Sequence, residues 1–258
     1  MTHQFITGDC LENIKRLESN SIDFCYFNPP FGITGCQYDK PLNWVELWPE
    51  IWRVLKPKGA VAIHSSQPFT FDLVASQRKH FKYCWYWKKL WCAPTGFLFS
   101  KYQPSRNIEE ICIFYKKSGT YNPQMVLRDK PYSKSPDNET DEIGNVIKKD
   151  GKKEIRLSEY YGNGFGKRPI INKTHNHPTH FLEMKRRNHK FSTRTIEMCE
   201  YFIKTYSNKG ETVLDLTCSD GQSALACQNL ERFYIGFDLD PEMISLSQKR
   251  LQEHIENT

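Results

Sequence analysis

The chain of 258 residues contains no run of 18 or more apolar residues, so it lacks the sequence signature of a membrane-spanning helix. Its first residues, Met1-Thr2-His3-Gln4, show no charged stretch followed by an apolar one. No secretory leader is therefore expected, and the reading is an intracellular, cytoplasmic protein. Cys-x-x-Cys spacing is missing as well. The nine cysteines, at 10, 25, 36, 84, 92, 112, 199, 218 and 227, are odd in number and scattered, several of them inside apolar strand-like runs. That favours reduced, buried thiols over disulfides or zinc ligands. The cluster His175-Asn176-His177-Pro178-Thr179-His180 has no second ligand group to match it, so it reads as a polar loop and no metal is expected. The full Gly-x-Gly-x-x-Gly fingerprint is also absent.

What is present is an ordinary globular composition, 38% hydrophobic, with a formal charge of +6 that is unevenly placed. Between Lys116 and Lys190 there are 17 Lys plus Arg against 9 Asp plus Glu, a net +8, which leaves 19 against 21, or −2, for the remainder. One segment thus carries the positive field, as expected of a region that grips a polyanion such as a nucleic acid. Lys167, Arg168, Lys185, Arg186 and Arg187 are its candidate phosphate contacts, which the resemblance described below makes contacts to double-stranded DNA.

The stretch that organises the chain is Ile22-Asp23-Phe24-Cys25-Tyr26-Phe27, an apolar strand running into Asn28-Pro29-Pro30-Phe31. Two prolines fix φ and remove N–H groups, giving a stiff turn whose carbonyls at Asn28 and Pro29 are expected to be free acceptors. An amide side chain, a carbonyl and an aromatic face converge there, a set that suits a planar group bearing an exocyclic amine. In open α/β sheets ligands bind outside the carboxyl ends of strands, where this turn would lie.

Periodicity predicts strands over 4–7, 22–27, 60–64, 83–87, 111–115, 212–215 and 233–238. Helices are expected over 11–17, 44–55, 71–78, 196–206, 222–230 and 241–254. Residues 32–41 read as a loop over whatever Phe31 faces, Lys56-Pro57-Lys58-Gly59 as a helix stop, and Ser192-Thr193 as a helix cap. From 118 to 188 the periodicity fades among prolines, glycines and lysines, marking a loop-rich insert. The alternation of strand and helix on either side implies an α/β fold, a mostly parallel twisted sheet with helices on both faces.

A second constellation follows the insert. Thr212-Val213-Leu214-Asp215 is a buried strand, Thr217-Cys218-Ser219-Asp220-Gly221 a small polar turn opening a helix, and Asp238 a carboxylate 17 residues after Gly221 at the end of the next strand. That layout can hold a nucleoside, with the carboxylate on ribose hydroxyls; the same pattern also occurs in units that bind nothing.

Together the two constellations resemble the amino-methylating DNA methyltransferases, which move a methyl group from S-adenosylmethionine to the exocyclic amine of adenine or cytosine. The resemblance rests on Gly8-Asp9-Cys10-Leu11-Glu12, Asn28-Pro29-Pro30-Phe31, Trp44 through Val54-Leu55-Lys56-Pro57-Lys58-Gly59, Trp85 to Lys88, and Glu109-Glu110-Ile111-Cys112-Ile113-Phe114. It continues in Glu197-Met198-Cys199-Glu200-Tyr201-Phe202-Ile203, Val213-Leu214-Asp215 and Tyr234-Ile235-Gly236-Phe237-Asp238-Leu239-Asp240-Pro241-Glu242. The motif order is that of the permutation often called the beta class. It implies a Rossmann-like S-adenosylmethionine-dependent methyltransferase fold divided into a catalytic half (1–117), a target-recognition insert (118–188) and a cofactor-binding half (189–258).

By the same resemblance Asn28, Pro29, Pro30 and Phe31 are catalytic. Asp9, Cys10, Ser192, Thr193, Asp215, Thr217, Gly221 and Asp238 bind S-adenosylmethionine: Asp9 on the adenine side, Asp215 and the turn around the methionine part, Asp238 on the ribose, Ser192 and Thr193 near the carboxylate. Site-specific methylation of adenine N6 in flipped-out bases is the implied activity, in a restriction-modification setting and with a homodimer implied. Cytosine N4 is the alternative target, and a catalytically weakened DNA-binding partner subunit the alternative role.

The departures from the family pattern are local. Asn28 and Phe31 stand where most of this class carry Asp or Ser and Tyr, Asn being the usual first residue in a differently permuted class of adenine-N6 enzymes. Ser219 replaces a glycine where positive φ is expected. Asp220 adds a carboxylate expected to repel that of the cofactor, and the run before the helix at 196 reads His189-Lys190-Phe191-Ser192-Thr193-Arg194-Thr195.

Overall fold

The computed structural model describes residues 2–90, 100–129, 138–140, 146–148, 174–187 and 194–257. Among these residues twelve strands run in chain order: β1 (His3–Thr7), β2 (Ile22–Phe27), β3 (Leu55–Ser65), β4 (Phe81–Leu90), β5 (Ile108–Phe114), β6 (Val126–Leu127), β7 (Asn138–Thr140), β8 (Val146–Lys148), β9 (His175–Asn176), β10 (Phe181–Lys185), β11 (Thr212–Asp215) and β12 (Phe233–Asp238). The helices among the described residues are α1 (Cys10–Lys15), α2 (Trp44–Val54), α3 (Phe69–Ser76), α4 (Ile196–Tyr206), α5 (Gln222–Asn229) and α6 (Pro241–Glu256).

Eight strands form one sheet in the order β1-β12-β11-β2-β3-β5-β4-β10. Every neighbouring pair is parallel except those made by β5, which runs against β3 and β4. From β11 the chain moves outward to β12, and from β2 it moves the other way to β3. The adjacent pair β2 and β11 is therefore the topological switch point, where crossovers diverge and a crevice opens at the carboxyl ends of the strands.

Alternation along β2 splits the core into two layers. Phe24 and Tyr26 pack with Met198, Cys199, Phe202 and Ile203 of α4, Ala224 and Ala226 of α5 and Ile244 of α6. Cys25 and Phe27 pack with Ile14 of α1, Leu47, Trp48 and Ile51 of α2 and Phe69 and Leu73 of α3. Both faces of the sheet are thus covered, and each strand in the middle is apolar on both sides, as parallel sheets require.

Several boundaries differ from the periodicity. Lys56-Pro57-Lys58-Gly59, expected to end a helix, lies within β3. Pairing with β2 jumps from Ile22↔Leu55 to Phe24↔Ala60, so the surplus residues form a bulge that absorbs the proline's missing N–H. Helix α3 starts two residues earlier than expected, at Phe69. The cap of α4 is Thr195, whose side chain accepts from the Met198 amide at 3.2 Å; Ser192 and Thr193 lie outside the described residues.

Residues Met1–Gln124 with Thr179–Thr258 pack as one compact unit and Met125–Pro178 as a second. Within the first, flanks of the expected insert are tied to the main fold: β10 is an edge strand in register with β4, and the Asn122 amide donates to the Thr205 carbonyl at 2.8 Å. The second unit contains the short antiparallel pairs β6–β9 and β7–β8. No helix among the described residues is long and apolar enough to cross a membrane.

Phe202 is fully enclosed between Tyr26, Trp85 and Tyr206. Phe202→Ala is expected to cost about 3–5 kcal/mol, transfer and cavity terms together. Equilibrium urea unfolding checks this, and a midpoint unchanged from the parent would show that the layer is not packed as described.

Candidate active site

The turn after β2 and the turn after β11 meet. Thr217 Oγ1 donates to the main-chain carbonyl of Asn28 at 2.9 Å. That carbonyl, expected to be free, is therefore already used. The free acceptor is instead the side chain: Asn28 Oδ1 is buried and has no hydrogen-bond partner. A buried acceptor left unsatisfied costs about 1–3 kcal/mol, so it marks either strain or a place for a donor from outside. Pro29 is buried and Pro30 half-buried. The Phe31 ring is partly buried and stacks on Phe69, with centroids 5.3 Å apart and planes at 19°.

Beyond Phe31 the chain is tied down by one carboxylate. Asp39 accepts the amides of Gly32 (2.7 Å), Ile33 (3.0 Å) and Thr34 (2.8 Å) and the Thr34 hydroxyl (2.7 Å). Burial pushes the Asp39 carboxyl up, but the Thr34 hydroxyl and the three amides outweigh it and hold it below its ordinary value. The loop at 32–41 is thus preorganised by a concave set of amides around an anion.

On the other side of the crevice, Asp215 ends β11 fully enclosed. Its oxygens take the Thr217 amide at 3.0 Å, the Ser223 hydroxyl at 2.5 Å and the Arg194 guanidinium at 3.4 Å. Arg194 is itself 1% exposed and lies over the Tyr26 ring, 5.5 Å from its centroid. Asp215, expected around a cofactor, presents no surface with which to touch one; it braces the turn from below. Arg194 was not singled out by the sequence reading, although it stands in the altered run before α4.

The turn itself is left-handed at two positions, Ser219 at φ +51° and Gly221 at φ +79°. At Gly221 a Cβ would come within 2.9 Å of Ser247 Cβ, so glycine is required there for space as well as conformation. At Ser219 the expected positive φ is adopted by a residue with a Cβ. Two bonds hold it: its amide donates to Asp238 Oδ2 at 2.8 Å and its carbonyl accepts from Ser247 Oγ at 2.7 Å. Asp220, expected to repel the carboxylate of the cofactor, is turned inward. Its carboxylate is buried and clamped by Arg187 and by Arg250, the latter at 2.8 Å. Arg187, expected on DNA, takes part in this clamp with its side chain 27% exposed.

Asp238 ends β12 half-buried, with its second oxygen accepting the Asp240 amide at 3.0 Å. Burial pushes its carboxyl up, opposed by those two amides. The Gly8 amide reaches the Asp238 carbonyl at 2.9 Å, which brings Asp9 to the same strand ends. Asp9 Oδ1 caps α1 through the Leu11 and Glu12 amides, at 2.8 and 3.2 Å. Cys10 is buried, and burial followed by the charge of Asp9 pushes its thiol up to about 12, so it is no nucleophile at neutral pH. The structure therefore brings Asn28, Phe31, Asp9, Thr217, Gly221 and Asp238 to one end of the sheet. Lys185 ends the edge strand β10 and Arg186 follows it; Lys167, Arg168, Ser192 and Thr193 lie outside the described residues.

Asp39→Ala is expected to release the amides of 32–34 while leaving the sheet intact. Because the folded value of Asp39 is depressed, its contribution is fully present above the ordinary carboxylate range and fades as pH falls through the folded value. Hydrogen exchange near neutral pH reads this directly, with faster exchange confined to the loop in the variant; unchanged protection at 32–34 would refute it.

Comparison with known proteins agrees with this geometry. The sequence profile of the DNA methylase family N6_N4_Mtase matches residues 22–249. The chain is 23% identical over 265 residues to the type II methyltransferase M.HpaI of Haemophilus parainfluenzae, covering 97% of this chain and 74% of that protein. Among solved structures it is similar to M1.HpyAVI in complex with SAM (TM-score 0.59, 20% identity, 96% of this chain and 100% of the other). It is also similar to the PvuII DNA methyltransferase described as cytosine-N4-specific (TM-score 0.61, 13% identity, 100% and 92%). With its Rossmann-like sheet, two converging turns and a family match over most of its length, the chain belongs to the amino-methylating DNA methyltransferases of the N6/N4 family.

Proposed function

We propose that this chain methylates the exocyclic N6 of adenine in double-stranded DNA, using S-adenosylmethionine. The observation that carries the reading is Asn28 Oδ1, a buried acceptor without a partner at the carboxyl end of β2, joined through the Asn28 carbonyl to the turn after β11. An exocyclic amine is the donor such an oxygen lacks. Asn is the usual first residue of the tetrapeptide in a differently permuted class of adenine-N6 enzymes, which is the ground for naming adenine first; the side chain itself accepts from either amine.

The polar groups present suit the cofactor. Asp238 offers a half-buried carboxylate, fixed by two amides, for ribose hydroxyls, and Asp9 stands at the neighbouring strand end for the adenine side. Thr217 and Gly221 shape the turn between them. S-adenosylmethionine, when bound there, supplies the methyl group.

The rest is done by the chain's own residues. The target base leaves the duplex at a cost of a few kcal/mol, because a stacked base cannot reach the crevice. Phe31, backed by Phe69, stacks on its ring. Asn28 Oδ1 and the Pro29 carbonyl accept the two amine hydrogens, which turns the nitrogen lone pair out of conjugation with the ring and fixes its direction. Rigidity and exclusion of water account for most of the rate; the nitrogen needs no strong general base. Lys185 and Arg186 belong to the basic segment that holds the phosphates.

Asn28→Ala is expected to lower methyl incorporation into DNA by about a hundredfold or more, with binding of S-adenosylhomocysteine retained. Undiminished turnover would sink the assignment of Asn28. Digestion of methylated DNA and analysis of the nucleosides should yield N6-methyladenine. N4-methylcytosine in its place would transfer the same mechanism to the other amine, and neither product would favour a DNA-binding partner subunit.

A further inference from the structure

The carboxylate at Asp220 is out of keeping with a turn read as lying beside the carboxylate of the cofactor's amino-acid end, and the structure shows how it is offset. The Asp220 side chain is 1% exposed, while the Arg187 and Arg250 side chains that grip it are 27% and 22% exposed. Arg250 also donates to the Asp220 carbonyl. In the amide orientation that satisfies both its polar atoms, Gln222 accepts from Arg250 at 2.6 Å and from Arg187 at 2.5 Å. Two guanidinium groups therefore share one carboxylate and one amide oxygen, and they, not the carboxylate, reach the surface.

Among the described residues one further carboxylate, that of Glu253, bears on Arg250 besides Asp220, and it does not cancel the surplus. Glu253, one turn beyond Arg250, is exposed and lies 3.8 Å from Lys249. The pair Arg194–Asp215 is self-compensating and enclosed, so it adds nothing outward. The clamp sits at the start of α5, whose first amides add to the positive potential. A planar guanidinium with five donors, only some of them engaged, is well matched to a second carboxylate.

We infer that Arg187 and Arg250 form the subsite for the carboxylate at the amino-acid end of the cofactor, so that the turn of this chain presents an anion hole where a bare Asp220 would repel. The inference rests on the reading above that the turn at 217–221 holds S-adenosylmethionine. It gives Arg187 a partner other than a DNA phosphate and makes Asp220 the residue that positions both arginines.

Titration calorimetry with two ligands tests it: S-adenosylhomocysteine, which carries the amino-acid end, and methylthioadenosine, the nucleoside thioether without it. Arg187→Gln should weaken S-adenosylhomocysteine about tenfold to a hundredfold and leave methylthioadenosine within about twofold. Should Arg187→Gln not fold, as judged by its thermal melt, the Arg187→Gln, Asp220→Asn double variant removes both charges together and is expected to show the same ligand contrast. Equal loss of both ligands would mean that the clamp only shapes the turn and would overturn the inference. So would unchanged S-adenosylhomocysteine binding with weakened affinity for a DNA duplex, which would return Arg187 to the phosphates. A wild-type chain that binds neither nucleoside would instead bring down the cofactor reading itself.

Discussion

The parallel pairing of β2 with β11 is the constraint on which the site depends. These strands are far apart in sequence, yet the register Val213↔Phe24 and Leu214↔Cys25 brings their carboxyl ends level. Asn28 and Thr217 then meet at 2.9 Å across a separation of 189 residues. A slip of one residue would invert every side chain of β11, sending Val213 and Leu214 to the wrong layers and Asp215 into an apolar one. Because Phe24 and Cys25 face opposite layers that are both fully packed, the core itself fixes the register, and the register fixes which two turns touch.

Beneath that contact the structure uses buried charge rather than apolar packing. Removing ions from water is costly, and a buried pair recovers the cost only where geometry and additional hydrogen bonds are good. Asp215 meets that condition, with an amide, a hydroxyl and a guanidinium on its two oxygens. Arg194 adds the Tyr26 ring on its face. Such a pair contributes little net stability, but losing either partner would strand the other. Its effect is to hold the first residues of the turn in one conformation, so that the Thr217 hydroxyl points at Asn28. The Asp39 cluster does the same for the loop on the opposite side, and the Asn28 side chain lies between two preorganised segments.

Much of this was legible in the sequence because periodicity and turn chemistry act locally. The apolar run at 22–27 ending in Asn-Pro-Pro-Phe, the strand at 212–215 with a glycine six residues on, and the carboxylate closing the strand at 233–238 all lie where those rules place them. What escaped depends on residues distant in sequence. That Asp220 is covered rather than exposed follows from Arg187 and Arg250, 33 and 30 residues away, and no turn rule anticipates it. The engaged Asn28 carbonyl likewise required knowing which strand lies next to β2. The β3 start was misplaced for a different reason: Lys-Pro-Lys-Gly is ordinary turn composition, and only the bulge opposite Asp23 shows how a strand can carry it. At Gly59 a Cβ would lie 2.8 Å from the Asp23 carbonyl, so the close approach that makes the bulge possible is open to glycine alone.

Ser219 brings these threads together. A non-glycine residue in the left-handed region costs on the order of 1–3 kcal/mol, and it persists only where its surroundings overdetermine it. Here the amide is fixed by Asp238 and the carbonyl by Ser247, while Cys218 before it donates to the Phe237 carbonyl at 2.7 Å. Each of those partners belongs to β12 or to the helix that follows it. The strained residue is therefore held by the same carboxylate assigned to the ribose, so any ligand drawing on Asp238 also bears on the backbone of the turn. That arrangement explains why the loss of a glycine here need not mean a decayed site. The conformation a glycine would adopt freely is imposed instead by β12, and the turn keeps its shape with a side chain that no longer favours it.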